Sequence, residues 1–489
     1  MLKRSGLIIM TRIDSFLDIG KIQDTRVTEE VRKIVCIQGL GFVGTAMAVA
    51  VADARDESGS PCFNVVGVEL ADKNGRSRVA KLNSGSLNIV NSDRKLQDAF
   101  TRTRRHGNFV ATTDPAAYAL ASVVVVDMPL DVIDGRNGPS VDFENFAQGI
   151  KAIADNVKPG VLIIIETTVP PGTCEKVVVP EIESVFRKRG FPPDSFFLAH
   201  SYERVMPGKE YYNSIINFWR VYAGHNHAAA EACEEFLSKV INIRDYPLRR
   251  LSSTTASETA KVLENSYRAE NIAFIEEWGR FAEAVGIDLF EVIEAIRVRP
   301  THSNIRQPGF GVGGYCLTKD PLLGRVGARQ LFGLADLDFP FCSHAVEVNR
   351  RMPLVTLRKV QGLLGGSLGE KRILLCGVSY RPDIGDTRQS PSETFVRNAR
   401  NGGAIVLCHD PLVEYWPELD MKVLGQMPGC EKIDAVVFAV AHEEYRSLDF
   451  RKWLNKSDIV IFDANNVLTR EQIDQLKRMQ VKFSSIGRG

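Results

Sequence analysis

A chain of 489 residues, 44% apolar and 25% charged, is ordinary globular material but too long for one core, so two or three domains are expected. Lys+Arg 61 against Asp+Glu 60 leaves a net charge of +1, which argues against a nucleic-acid or anionic-membrane partner held by bulk charge. No apolar run approaches the roughly 20 residues that span a bilayer. The stretch Gly6–Met10 is too short for a secretory leader and meets Asp14 and Asp18 at once, so the chain reads as cytoplasmic, with no membrane partner.

Residues 1–31 are polar without a clear period and are set aside as an extension. From Arg32 an apolar strand, Ile34–Ile37, runs into a glycine turn and an Ala/Val-rich helix to about Ala54. Further strands are expected at 65–68, 122–126 and 161–165, and continuous apolar strands alternating with helices indicate a parallel sheet covered on both faces. Between about 252 and 350 the pattern turns helical. Ala260, Leu263, Tyr267, Phe274, Trp278, Phe281 and Val285 recur at helical spacing, predicting a long helix that Gly286 ends, with a capping box at Asp288–Glu291 opening the next. Strands resume at 373–377, 404–408, 435–438 and 459–462. The expected architecture is α/β: two Rossmann-like doubly wound domains, 32–250 and 356–489, joined by a long central helix and a helical middle domain, 251–355.

Gly39-Leu-Gly41-Phe42-Val43-Gly44 is a Gly-x-Gly-x-x-Gly turn between strand and helix, where backbone amides at the helix's positive end receive a pyrophosphate. Glu69, closing the second strand, stands where an acid meets the adenosine ribose hydroxyls and would repel a 2′-phosphate, so NAD is favoured over NADP. The interval exceeds about 20 residues because 55–62 read as a loop insertion.

The nine cysteines form no Cys-x-x-Cys pair, so no disulfide or zinc framework is expected. Cys36, Cys376 and Cys408 lie in apolar runs and are read as buried. Cys316 differs: it follows four glycines in six residues, 309–314, and precedes Lys319 and Asp320. Glycines let backbone press on a ligand, and cysteine is the strongest nucleophile among side chains near neutral pH. Lys261 and Asn265, four apart on the predicted helix, share one face and could both donate to an oxygen gaining charge. Thr168 lies in the loop after a buried strand, where parallel-sheet sites form, and Ser201–Gly208 is a second such segment.

Together with Ala111-Thr-Thr113-Asp114, Glu203-Arg204-Val-Met-Pro-Gly208 and Ser379-Tyr-Arg381-Pro-Asp383 with Asp386-Thr-Arg388, these motifs make the chain, from about Arg32 to its end, resemble the UDP-glucose/GDP-mannose dehydrogenase superfamily. The resemblance implies four-electron, NAD-dependent oxidation of a nucleotide sugar at C6. It makes Cys316 the nucleophile of a thiohemiacetal and then a thioester, and Lys261 and Asn265 the oxyanion donors. Asp320, with a water near Thr168, would move protons, and Glu203 would assist hydrolysis. It adds Thr113 and Thr168 to the cofactor contacts, with Arg204, Lys261, Asn265, Arg381 and Arg388 toward the substrate. It also implies a UDP-sugar site in the last domain, a homodimer or higher homo-oligomer, and a role in polysaccharide precursor synthesis.

Tyr315, Thr318, Tyr202 and Arg381 depart from common family residues. The segment Glu203–Lys209 resembles the N-acetylhexosamine branch, which favours a UDP-N-acetylhexosamine with ManNAc, GlcNAc and GalNAc open. Two alternatives stand beside this reading: a two-electron β-hydroxyacid-type dehydrogenase, which would not need Cys316, and a silent nucleotide-sugar binding protein.

Overall fold

The computed structural model describes residues 32–87, 93–135, 138–205, 208–454 and 458–489; the extension 1–31 lies outside them. The chain divides into two compact units. One runs to Val262 and includes Leu323–Leu337; the other comprises Leu263–Leu322 and Asp338–Gly489.

The first unit is built on eight strands: β1 Lys33–Gln38, β2 Phe63–Val68, β3 Phe109–Thr112, β4 Val123–Val126, β5 Leu162–Ile165, β6 Phe197–His200, β7 Val221–Gly224 and β8 Arg249–Arg250. Their order is β8-β7-β6-β5-β4-β1-β2-β3, parallel except for the antiparallel β6–β7 pair. Val35 and Ile37 pack into one apolar cluster and Cys36 into another, so both faces of β1 are buried, as its unbroken apolar run requires. The strand order reverses between β1 and β4, and in such sheets ligands bind outside the carboxyl ends at the reversal. Register then does the positioning. Gln38 pairs with Val68 and Val126, Val68 with Thr112, and Val126 with Ile165. The next residues, Gly39, Glu69, Thr113, Asp127 and Glu166, therefore emerge at one level along the carboxyl edge.

The predicted long helix is α2, Thr254–Val285, following the Ala/Val-rich α1, Phe42–Asp53. It stops at Gly286, whose φ is 77°, and Asp288 caps α3, Leu289–Arg297, through the Phe290 N–H at 2.9 Å. That single bond replaces the expected reciprocal capping box. The apolar stripe is exposed on the single chain: Leu263 is 65% exposed, Tyr267 54%, Phe274 53%, and Trp278, Phe281 and Val285 are alike. The buried side of α2 is lined by Asn265, Ala269, Ile272 and Ala273.

The second unit carries a five-stranded parallel sheet: β9 Arg372–Cys376, β10 Ile405–His409, β11 Ala435–Phe438, β12 Val460–Asp463 and β13 Lys482–Ser485, in the order β10-β9-β11-β12-β13. Helix α4, Pro340–Leu363, adds Leu357 and Val360 to a cluster on one face. Among the described residues no helix is long and apolar enough to cross a membrane.

Candidate active site

The glycine turn is shaped by backbone collisions. Gly39 has φ +86°, and a Cβ there would lie 2.6 Å from the Asp127 carbonyl oxygen; one on Gly44 would lie 1.8 Å from the Gly39 carbonyl oxygen. Only Gly satisfies both positions. Around Gly41 the same construction meets no atom within 4 Å, and no side chain caps the helix that begins at Phe42 and Val43. An uncapped helix start beside open space suits a pyrophosphate, so these residues fit a dinucleotide. Glu69 is buried and accepts from the Leu40 N–H at 3.0 Å, the Leu70 N–H at 2.9 Å and Arg78 Nη1 at 2.6 Å. Arg78 was not marked in the sequence, and no spacing rule signals it. Thr113 is half-buried beside Glu69 at the carboxyl edge.

Asp127 and Glu166 meet on that edge in a dry setting. Arg220, 4% exposed, binds the Glu166 carboxylate. Burial, then the charge of Glu166, pushes the Asp127 carboxyl well above the usual carboxylate range. One cation beside two closely placed carboxylates favours retention of a proton by the pair. Thr167 donates to the Val126 and Met128 carbonyls, at 3.1 and 2.8 Å, which pins the loop and leaves the half-buried Thr168 at its tip. The loop is anchored at its far end by Glu258, fully buried on α2 one turn before Lys261. Its carboxylate accepts from Gly172 and Cys174 N–H at 2.6 and 2.7 Å, while burial pushes its pKa up to about 7.

Lys261 is 5% exposed, so its ammonium needs partners. It donates to the Glu203 carbonyl at 2.7 Å, lies 3.5 Å from the Glu203 carboxylate and sits over the Tyr202 ring at 5.3 Å. Arg204 donates to the Trp219 carbonyl at 3.0 Å and to Tyr202 Oη at 3.2 Å. Tyr202, a departure from the family pattern, is thus the buried platform for two cations.

In the second unit, Asn265 donates to Asp320 at 2.7 Å, and Lys319 lies 3.1 Å from the other Asp320 oxygen. The Asp320 amide donates to the Cys316 carbonyl at 2.9 Å, winding the thiol and the carboxylate into one turn. Lys261 and Asn265 therefore hold different acceptors in this structure. All nine cysteines lie among the described residues, and Cys316 alone is exposed; Cys36, Cys376 and Cys408 are buried as expected. Gly311 and Gly314 adopt φ +112° and +80°, and a Cβ on Gly314 would lie 2.9 Å from the Tyr380 ring. Arg388 spends its bidentate edge on Asp386, with Nη2 at 2.6 Å and Nε at 2.9 Å, and stacks its guanidinium 5.1 Å from the Tyr315 ring. The charge of Arg381 acts on Arg268, an exposed residue one turn beyond Asn265 on α2.

Family models match three successive segments: the NAD binding domain of the UDP-glucose/GDP-mannose dehydrogenase family over residues 33–241, its central domain over 255–351 and its UDP binding domain over 374–470. A UDP-N-acetyl-D-mannosamine dehydrogenase of Pyrococcus horikoshii is 30% identical over 470 residues, spanning 93% of this chain and 99% of that protein. A solved structure of a UDP-D-ManNAc dehydrogenase from Pyrococcus horikoshii superposes with TM-score 0.77 at 26% identity, covering 93% of this chain and 99% of that one. An NDP-N-acetyl-D-galactosaminuronic acid dehydrogenase from Methanosarcina mazei gives 0.75 at 27%, covering 94% and 95%. The chain belongs to the UDP-glucose/GDP-mannose dehydrogenase family and is an NAD-dependent nucleotide-sugar dehydrogenase.

Proposed function

We propose that this enzyme oxidises the C6 hydroxyl of a UDP-N-acetylhexosamine to the carboxylate in two successive two-electron steps, with Cys316 holding the intermediate. NAD⁺, when bound, is the acceptor of the two electrons and hydrogen removed from carbon in each oxidation. Cys316 adds to the C6 aldehyde to give a thiohemiacetal, which traps a reactive product between oxidations. Oxidation of that adduct gives a thioester; water then adds at the carbonyl carbon, the C–S bond breaks, and carboxylate and thiol are released. Asn265 and Lys261 stabilise the anionic oxygen formed on each addition, Asp320 and a water near Thr168 carry protons, and Glu203 assists hydrolysis. Gly39, Gly41, Phe42, Val43, Gly44, Glu69, Thr113 and Thr168 form the cofactor side. Arg204, Arg381 and Arg388 serve the substrate, Arg388 by releasing or sharing its contact with Asp386.

The observation that carries this reading is the state of Cys316. It is the one exposed thiol of nine, on a turn whose carboxylate is already bonded to the helix amide at Asn265. The choice of an N-acetylhexosamine rests on Glu203–Lys209 and on relatives named UDP-N-acetyl-D-mannosamine dehydrogenase in Pyrococcus horikoshii and Campylobacter jejuni. The same reading takes 32–250 as the NAD domain, 251–355 as the central domain and 356–489 as the UDP-sugar domain. It makes the chain a cytoplasmic homodimer, or a higher homo-oligomer, covering the exposed stripe of α2 and feeding polysaccharide precursor synthesis. The test is NADH absorbance over UDP-ManNAc, UDP-GlcNAc, UDP-GalNAc, UDP-glucose and GDP-mannose, with Cys316→Ser as control. One of the three UDP-N-acetylhexosamines should exceed UDP-glucose in kcat/KM by about 10-fold or more. Preference for UDP-glucose or GDP-mannose, or wild-type turnover by Cys316→Ser, would overturn the proposal.

A further inference from the structure

His442, in the second unit, is fully buried with both ring nitrogens engaged, and the proposed chemistry gives it no role. In the second sheet the strand order reverses between β9 and β11, where ligands bind outside the carboxyl ends. Cys376 pairs with His409 and with Phe438. The loop that leaves β9 at Gly377, Asp410 after β10 and His442 after β11 therefore meet at that edge. The Asp383 N–H donates to His442 Nδ1 at 3.0 Å, so Nδ1 carries no proton and the ring's proton is on Nε2. Nε2 lies 3.0 Å from Ser379 Oγ and 3.1 Å from Asp410 Oδ2. Asp410 also accepts from the Val378 and Ser379 N–H groups at 2.9 and 3.0 Å. Burial alone would raise the Asp410 carboxyl, but hydrogen bonds from His442 and from the Leu412 and Ser379 amides hold it below the usual range.

One buried ring thus holds two residues of the loop, Ser379 and Asp383, and Arg381 stands midway between them. Ser379 Oγ also reaches the Arg381 carbonyl at 3.3 Å. Asp383 has φ 57°, a left-handed conformation that residues other than glycine rarely adopt. Its N–H bond to Nδ1 and its carboxylate, which accepts from the Glu443 N–H at 3.2 Å, keep it there. Serine, histidine and aspartate together invite comparison with a hydrolytic triad, in which the acid holds Nδ1 and the serine meets Nε2. Here both meet Nε2, a backbone amide takes Nδ1, and Ser379 is fully buried. The arrangement is a clamp. We propose that His442 is a positioning residue for the nucleotide end of the substrate, fixing the loop at Ser379 and Asp383 so that Arg381 meets the UDP group. The proposal rests on the reading of Arg381 as a substrate contact. All these residues fall in the segment, 374–470, that matches the family's UDP binding domain.

The test is the affinity of the full chain for UDP, measured by isothermal titration calorimetry in wild type, Arg381→Gln, His442→Gln and the double variant. Arg381→Gln should weaken UDP by about 10- to 100-fold, as loss of a hydrogen bond to a charged group does. His442→Gln should weaken it by about 10-fold, with NAD⁺ affinity unchanged in both, since the dinucleotide turn belongs to the other unit. Because His442 acts through Arg381, the double variant should bind UDP no more weakly than Arg381→Gln. Additive losses, or unchanged affinity in His442→Gln where Arg381→Gln is weakened, would overturn the proposal alone. Unchanged affinity in Arg381→Gln would remove the reading of Arg381 and the proposal with it. Should His442→Gln not fold, nitrogen NMR of wild type carrying labelled histidine decides. A proton on Nε2 of His442 supports the clamp, and a proton on Nδ1 overturns it.

Discussion

Two glycine-rich turns carry the proposed chemistry, and they use glycine differently. At Gly39–Gly44 the constraint is backbone against backbone: carbonyl oxygens of Asp127 and Gly39 occupy the space a side chain would need, and the turn offers amides and a helix end. At Gly309–Gly314 the glycines lie against groups distant in sequence, the Tyr380, Pro391 and Asn465 side chains and the Gln389 carbonyl oxygen, and the turn delivers a side chain, Cys316. The first turn takes one distant contact, the Asp127 carbonyl at Gly39, and otherwise follows from the local chain path. The second depends on Asn265, Asp320 and the loop at Tyr380–Arg388, which are distant in sequence. A phosphate cradle can be built by one segment; an activated nucleophile has to be assembled.

That contrast can be broken by substitution, and the largest effect belongs to the assembled site. Cys316→Ser should lower formation of the carboxylate by about 1,000-fold or more, as loss of a covalent nucleophile does, measured by product anion-exchange chromatography. Asn265→Ala should cost about 100- to 1,000-fold in kcat with little change in KM for NAD⁺, because it removes one oxyanion donor and one Asp320 partner. In the first turn, Gly44→Ala should destabilise the fold by about 1–3 kcal/mol and weaken NAD⁺ together, since its Cβ meets a backbone oxygen that has nowhere to go. Gly41→Ala, which meets open space, should leave the melting temperature unchanged and raise KM for NAD⁺ alone; equal stability loss in both variants would erase the distinction. The smallest effect is expected at Glu69→Ser, which frees Arg78 from its carboxylate. It should weaken NAD⁺ by about 10-fold while narrowing the preference over NADP⁺, through the ribose contact an acid supplies and the 2′-phosphate an arginine accommodates.

The same contrast explains what the sequence made legible. The turn at Gly39, the strands Ile34–Ile37, Val65–Val68 and Ala435–Phe438, and the helix ending at Gly286 follow from periodicity and local sterics, and the structure has them within a residue or two. Strands Phe109–Thr112, Phe197–His200 and Lys482–Ser485 are not legible in the sequence, because four-residue stretches with polar or aromatic members carry too little periodic signal. The stripe from Leu263 to Val285 reads as apolar, but periodicity alone does not say whether such a face meets the chain's own core; on the single chain it is exposed. Cys316, Asn265 and Asp320 stood out as residue types ill-suited to packing. Asp127, Glu258 and Arg78 did not, because each acquires its role from a partner that only tertiary register supplies, such as the alignment of Val126 with Ile165 that sets Asp127 beside Glu166.

The central claim is that one thiol carries the sugar carbon between two oxidations. It is tested most directly by counting NADH formed per nucleotide sugar consumed, with the sugar limiting and the reaction run to completion. Two NADH per sugar by the wild type, and fewer than two by Cys316→Ser, is the predicted result. One NADH per sugar by the wild type, or two by the serine variant, would contradict it.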